Sequence, residues 1–242
     1  MQRRCLSLMV GVVIALATVS PAQSAEAVHF RTADGVKVFA DYYASPNPAA
    51  PFILCFHMAN ANRGEYASIA PSLVNQGFQV LAIDQRSGGF AYEQWNDTAK
   101  QFAMPQNYLS AMPDIEAAIA WAKLKSPKSK VLLWGSSYAA SLVILQGAQH
   151  MDVAAVLAFS PGEYFTDPAL VTTAATKLHQ PVFMSSTQIE ATNVATIFAA
   201  VASAEKIQFV PKGSGDHGSS ALVGADADEY WQAVRAFLKK IK

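Results

Sequence analysis

Short apolar runs alternate along most of the chain with longer stretches of helical spacing. Two strand-like runs, 27–32 and 36–43, open the pattern, and the Asp34-Gly35 pair between them suits a tight turn. They predict an antiparallel hairpin at a sheet edge, after which Pro46-Asn47-Pro48 breaks the pattern. Strands are then predicted over 52–56, 79–83, 131–134, 153–159, 182–185 and 206–210. Helices are predicted over 65–76, 113–124, 138–149, 192–202 and 227–239, with a short one near 169–178. In the second of these, Ile115, Ala118, Ile119 and Ala122 fall on one side. Several strands are apolar throughout, with no polar face. That is what a mostly parallel sheet with helices on both faces requires, so the fold class is α/β. Ligand sites in such sheets lie beyond the carboxyl ends of the strands.

The first residues break this alternation. Arg3 and Arg4 precede an apolar stretch over 6–19, followed by Pro21 and the small residues Ala22 and Ser24. This is the pattern of a signal peptide over 1–24, cut after Ser24 or, as a rival site, after Ala27. The stretch is short for a stable span of about 20 residues, so the mature chain is expected to be periplasmic or secreted with no membrane span. Cys5 lies before the apolar stretch and is not read as a lipid site, which leaves Cys55 alone in the mature chain. A lone cysteine forms no internal disulfide, and its apolar setting reads as a buried small side chain. The full chain has 242 residues, 52% apolar and 15% charged, enough for one domain with a large core over 25–242. Without Arg3 and Arg4 the balance is 16 basic against 18 acidic side chains, which offers no footprint for nucleic acid.

Three loops carry the candidate chemistry, each following a predicted strand. The first is Trp134-Gly135-Ser136-Ser137-Tyr138-Ala139, set between a strand and an apolar helix. It resembles the nucleophile elbow of α/β-hydrolases, Gly-x-Ser-x-Gly, with Ala139 in place of the second glycine. The second is Phe56-His57-Met58-Ala59-Asn60. In the α/β-hydrolase family a His-Gly-like pair sits here and a backbone N–H completes the oxyanion hole. The resemblance therefore implies Met58 N–H and Tyr138 N–H as the two donors, with His57 supporting the loop. The third is Gly213-Ser214-Gly215-Asp216-His217-Gly218, where the family places its general base. A histidine flanked by glycines in a loop has little reason to be buried structure, and serine before acid before histidine is the family's chain order. The resemblance makes Ser137 the nucleophile and His217 the base. It places the acid at Glu190, nine residues beyond Pro181, with Glu163 and Asp216 as rivals.

Asp84-Gln85-Arg86-Ser87-Gly88-Gly89 resembles the family's Asp-x-Arg-Gly-x-Gly loop, where Asp84 and Arg86 would brace neighbouring loops. Asn62, Arg63 and Glu65 are expected near the rim of the site, and Asp114 as a first-turn carboxylate of its helix. Phe90, Tyr92 and Trp95, with Tyr164 and Phe165, would supply an apolar wall for an acyl group. Only 161–180 separates the strand at 153–159 from Pro181, which leaves no room for a lid domain. The histidines and carboxylates form no recognised metal-ligand spacing, and no glycine cluster matches a phosphate or dinucleotide loop, so no metal and no cofactor is expected. The resemblance is strongest to the compact branch with dienelactone hydrolases and small secreted esterases. It implies hydrolysis of a small-molecule carboxylic ester through an acyl-enzyme, and fixes no oligomeric state. A peptidase or thioesterase with the same triad, and a catalytically degenerate binding protein of the same fold, are the alternatives.

Overall fold

The computed structural model describes residues 24–241. The leader expected over 1–24 lies outside these residues except for Ser24. The described chain begins with strands β1 (Glu26–Arg31) and β2 (Lys37–Tyr43), paired antiparallel around a turn in which Gly35 takes φ +86°. Next come β3 (Phe52–Phe56), α1 (Ala70–Asn75) and β4 (Gln79–Ile83). A small two-stranded ribbon, β5 (Phe90–Ala91) and β6 (Gln94–Trp95), precedes α2 (Met112–Lys125). The rest alternates strand and helix: β7 (Val131–Ser136), α3 (Tyr138–Gln149), β8 (Ala155–Phe159), α4 (Leu170–Ala175), β9 (Val182–Ser185), α5 (Ala191–Ala200), β10 (Lys206–Phe209) and α6 (Ala227–Ile241).

Eight strands form one sheet in the order β1-β2-β4-β3-β7-β8-β9-β10. From β4 to β10 neighbouring strands are parallel, and the β1–β2 hairpin attaches antiparallel through β2 to β4. Because the parallel strands share one direction, the loops after β3, β7, β8, β9 and β10 gather at one rim. The apolar strands bury both faces, as their composition requires. On one face they pack against α2, α3, α4 and α5, through Ile115, Leu142, Val171 and Val194 among others. On the other they pack against α1 and α6, through Leu73, Val234 and Phe237, with Trp134 and Phe159 stacked at 4.5 Å. Cys55 lies within β3, fully buried, and burial raises its thiol pKa well above the ordinary value. No large lid interrupts the described chain.

The structure departs from the predicted elements in three places. The helix expected over 65–76 begins only at Ala70, and a tight 3-10 turn over Arg63–Tyr66 precedes it. Pro71 lacks an amide hydrogen and suits a first helical turn, so the helix starts there and the preceding residues turn inward. Strand β7 runs two residues beyond Trp134, because Gly135 and Ser136 still pair with Phe56 and Phe159. The β5–β6 ribbon was not predicted. Its turn uses Tyr92 and Glu93 at positive φ, where the usual glycine signal is missing.

Two arginines brace the loops below the rim. Arg86 is 6% exposed; its Nη2 lies 2.7 Å from Asp114 Oδ1 and its Nη1 2.6 Å from Asp34 Oδ2. Asp114 Oδ2 also accepts the Arg86 backbone N–H at 2.8 Å. Arg63 pairs with Asp84, Asp41 and Asp97. Removing one partner of a buried pair leaves a charge without compensation. Asp114→Ala is therefore expected to cost about 3 kcal/mol of stability. In urea titration the midpoint should fall while the slope stays unchanged.

Candidate active site

The chain reverses from β7 into α3 at Ser137, which sits at φ +58° and ψ −124°, backbone that a residue with a side chain rarely adopts. Two contacts hold it there. The Ser137 N–H donates to Phe159 O at 2.8 Å, which ties the turn to β8. Gly135 lets the helix approach: a Cβ on it would lie 2.2 Å from Ala139 O. Ala139 itself is fully buried, so its extra methyl is absorbed by the packing. The Tyr138 side chain anchors the first turn of α3 by accepting Gln85 Nε2 at 2.8 Å, meeting Ser87 Oγ at 2.7 Å, and stacking on Tyr108 at 4.3 Å.

The loop after β10 brings His217 to this elbow. His217 Nε2 lies 2.7 Å from Ser137 Oγ, and Nδ1 lies 2.5 Å from Glu190 Oε1. Glu190 directly precedes α5, with its side chain turned away from the helix amides; its Oε2 accepts Ser160 Oγ at 2.7 Å and the Thr187 N–H at 3.1 Å. Burial pushes the Glu190 pKa up, but these donors and the imidazole outweigh it and hold it at about 2. The Glu190 hydrogen bond in turn raises His217 above its ordinary value, against the opposing effect of burial. The positions 137, 217 and 190 are thus arranged as a Ser-His-acid triad. The rival carboxylates lie elsewhere. Glu163 accepts the Val171 and Thr172 amides at the start of α4, and Asp216 packs beside Gly224 with no hydrogen bond to the imidazole. Ser219, two residues past His217, accepts Trp134 Nε1 at 2.9 Å.

The loop after β3 differs from the expectation. The Met58 N–H does not face an open oxyanion position, because it donates to Glu65 Oε2 at 2.7 Å. Glu65 is not at the rim but buried. The 3-10 turn over Arg63–Tyr66 carries it inward behind the elbow, where its other oxygen accepts Ser136 Oγ at 2.6 Å. The next amide, Ala59 N–H, lies in the turn closed by Ala61 N–H to Met58 O and makes no hydrogen bond within the described residues. The Tyr138 N–H, at the start of α3, likewise makes none.

His57 is fully buried. Its Nε2 accepts the Gln85 N–H at 2.9 Å, so Nδ1 carries the proton and donates to Met58 O at 2.8 Å. Burial holds its pKa down at about 4, so it braces the loop as a neutral ring. Asp84 accepts the Arg63 and Asp97 amides, and Arg86 fastens the following loop to α2 through Asp114. A cavity of about 910 Å³ opens at Tyr164, and Ser137, His217 and Glu190 are not among the residues that line it. Trp95, Tyr164 and Phe165 line it together with Phe102, Met104 and Tyr108. Phe90 and Tyr92 are not part of that lining. The Phe90 ring packs edge-on against Trp95 at 5.3 Å, and the ribbon turn carries Tyr92 over Gly64. Tyr164 joins the cavity to the triad, because its hydroxyl donates to Ser160 O at 3.0 Å and also interacts with the Ser137 side chain.

Sequence reading missed Ser160, Ser136 and the inward role of Glu65. The one signal for Ser160 was its place directly after β8, the same position that Ser137 holds after β7.

A family profile described as "Serine aminopeptidase, S33" matches residues 47–208, which includes Ser137 and Glu190 and stops short of His217. No curated protein sequence matches the chain. Among solved structures, the Pyrococcus furiosus esterase Pf2001 is 17% identical with a TM-score of 0.75, covering 94% of this chain and 97% of that one. A dienelactone hydrolase from Anabaena variabilis is 16% identical with a TM-score of 0.70, covering 90% and 99%. Est1E from Butyrivibrio proteoclasticus, solved with ferulic acid bound, is 16% identical with a TM-score of 0.68, covering 88% and 98%. At these identities the likeness is one of fold.

The raised His217 pKa can be read directly. In proton NMR of the folded protein, the His217 ring should titrate above 6.5, the value of a free imidazole. Glu190→Gln removes the charge that favours the imidazolium, so the titration should move to lower pH, by about one unit.

Proposed function

The chain belongs to the family described as serine aminopeptidase, S33, and we propose that within it this protein cleaves small carboxylic esters through a covalent acyl-enzyme on Ser137. The observation that supports this best is the unbroken row of hydrogen bonds from Ser137 through His217 to Glu190, at the rim where the strands end. In this reading Ser137 Oγ attacks the ester carbonyl as its proton passes to His217 Nε2. Glu190 holds the ring with Nδ1 protonated and stabilises the imidazolium. The oxyanion is held by the Tyr138 N–H, helped by the positive end of α3, and by the Ala59 N–H, the amide after Met58 that is left without a partner. The imidazolium then protonates the leaving alcohol. A water molecule, deprotonated by His217, attacks the acyl carbonyl and frees Ser137.

The cavity favours an ester over the peptide substrate that the family description suggests. An aminopeptidase must hold the charged amino end of its substrate, and no acidic side chain lines this cavity. The two basic residues that line it are paired, Arg86 with Asp34 and Asp114, and Lys100 with Asp97. What remains is an aromatic and aliphatic arc with amide side chains, such as Asn60, Asn96 and Asn107, suited to an uncharged acyl group.

Purified mature protein should hydrolyse short activated esters faster than matched thioesters or amino-acid anilides. A serine-directed phosphonate should label Ser137 one to one. Ser137→Ala should take no label and lose at least about 10³-fold in kcat/KM. A Ser137→Ala variant with the parent rate would overturn the proposal.

We also propose that the mature protein is exported, with the cut after Ser24. That position leaves β1 whole, whereas a cut after Ala27 would remove Glu26 and Ala27 from their pairing with Tyr42 and Asp41. Amino-terminal sequencing of the exported form should begin at Ala25.

A further inference from the structure

One buried carboxylate beside the site takes no part in the row from Ser137 to Glu190. Glu65 is 4% exposed and, unlike the buried Asp84 and Asp114, has no arginine or lysine partner among the described residues. Leaving a carboxylate buried without a cation costs several kcal/mol, and a neutral side chain of the same size would avoid that cost. What the carboxylate does instead is join three loops. Its Oε2 accepts the Met58 N–H of the loop after β3, at 2.7 Å. Its Oε1 accepts Ser136 Oγ of the elbow at 2.6 Å. Ser136 Oγ accepts the Ser219 N–H of the His217 loop at 2.8 Å, and the neighbouring Gly218 approaches so closely that a Cβ there would lie 2.3 Å from that oxygen. The ionisable groups whose charge Glu65 shares are Cys55, Tyr66, Tyr92, Tyr138 and His217. The first four are neutral at physiological pH, so the cation that Glu65 can meet is the imidazolium of His217.

We propose that Glu65 is a positioning residue for the reaction, tying the loop after β3, the nucleophile elbow and the His217 loop into one unit and favouring the imidazolium that forms as Ser137 attacks. This rests on the serine-hydrolase reading above. The link to Met58 explains how that loop is held: with the Met58 amide fixed inward, the turn that follows presents the free Ala59 N–H. Burial raises the Glu65 pKa to about 7, against the lowering effect of Ser136, Met58 and His217, so part of its charge is lost at neutral pH.

The test is Glu65→Gln in the full mature protein, with Glu65→Asp as the variant that keeps the charge. Phosphonate labelling of the parent protein at Ser137 comes first, and its absence would defeat the serine-hydrolase reading rather than this one. Given labelling, Glu65→Gln should lower kcat by about 10- to 100-fold with KM little changed. The acid limb of its pH–rate profile should move to lower pH by about one unit, because the imidazolium loses an anionic neighbour. Glu65→Asp should keep the limb near its original position and recover part of kcat. A Glu65→Gln variant with parent kcat and an unmoved limb would overturn the proposal, and so would a loss of kcat with the limb unmoved, which marks a packing role alone. Should Glu65→Gln fail to fold, the parent protein carries the test. Its log kcat/KM should pass through a segment steeper than one unit per pH unit below about pH 7, where loss of the Glu65 charge adds to protonation of His217. A slope of one or less throughout the acid limb would count against the role.

Discussion

The arrangement at the rim depends on the backbone at Ser137. Strand β7 enters α3 through a single residue at positive φ, and that residue carries the hydroxyl. The strain is held by ordinary contacts: the amide bond to Phe159, the bare Gly135 under Ala139 O, and the stacked Tyr138 and Tyr108 rings. The first ties the elbow to β8 and the last to the segment that leads into α2, while Gly135 lets strand and helix close on each other. The position of the hydroxyl is therefore set by the register of the sheet rather than by a flexible loop. Ser160 repeats the geometry one strand over, also at positive φ, and uses its hydroxyl to hold Glu190.

Four buried or half-buried carboxylates surround this elbow, and their partners separate their roles. Asp84 and Asp114 face arginines and fasten loops. Glu190 faces an imidazole and two further donors, which keep it ionised. Glu65 faces amide and hydroxyl donors alone, with no cation to offset its burial, and its pKa is raised to about 7. One residue type thus serves as brace, orienting acid and electrostatic neighbour according to what the fold places opposite it.

Much of this was legible in the chain. Strands β3, β4 and β9 and helix α3 are read from apolar runs and spacing with their bounds intact, because burial on two faces leaves a continuous apolar signature. The loops holding Ser137 and His217 announce themselves through glycine and through their place after strands. What could not be read is what depends on direction rather than pattern. The 65–76 stretch has helical spacing, so Glu65 reads as the start of a helix near the rim, and the 3-10 turn before Pro71 carries it inward instead. The Met58 amide is identical in sequence terms whether it faces solvent or Glu65. The β5–β6 ribbon escaped because Tyr92 and Glu93 occupy positions where glycine or asparagine is the usual marker.

Cys55 sits at the middle of this fold, on β3 between β4 and β7, with none of its surface open to water. Its thiol resists ionisation, and oxidants and disulfides react with the thiolate. As long as the sheet stays closed, the sulfur is chemically silent. Two folded copies cannot become covalently joined through it, and an oxidising environment has no purchase on this sulfur while the sheet is intact.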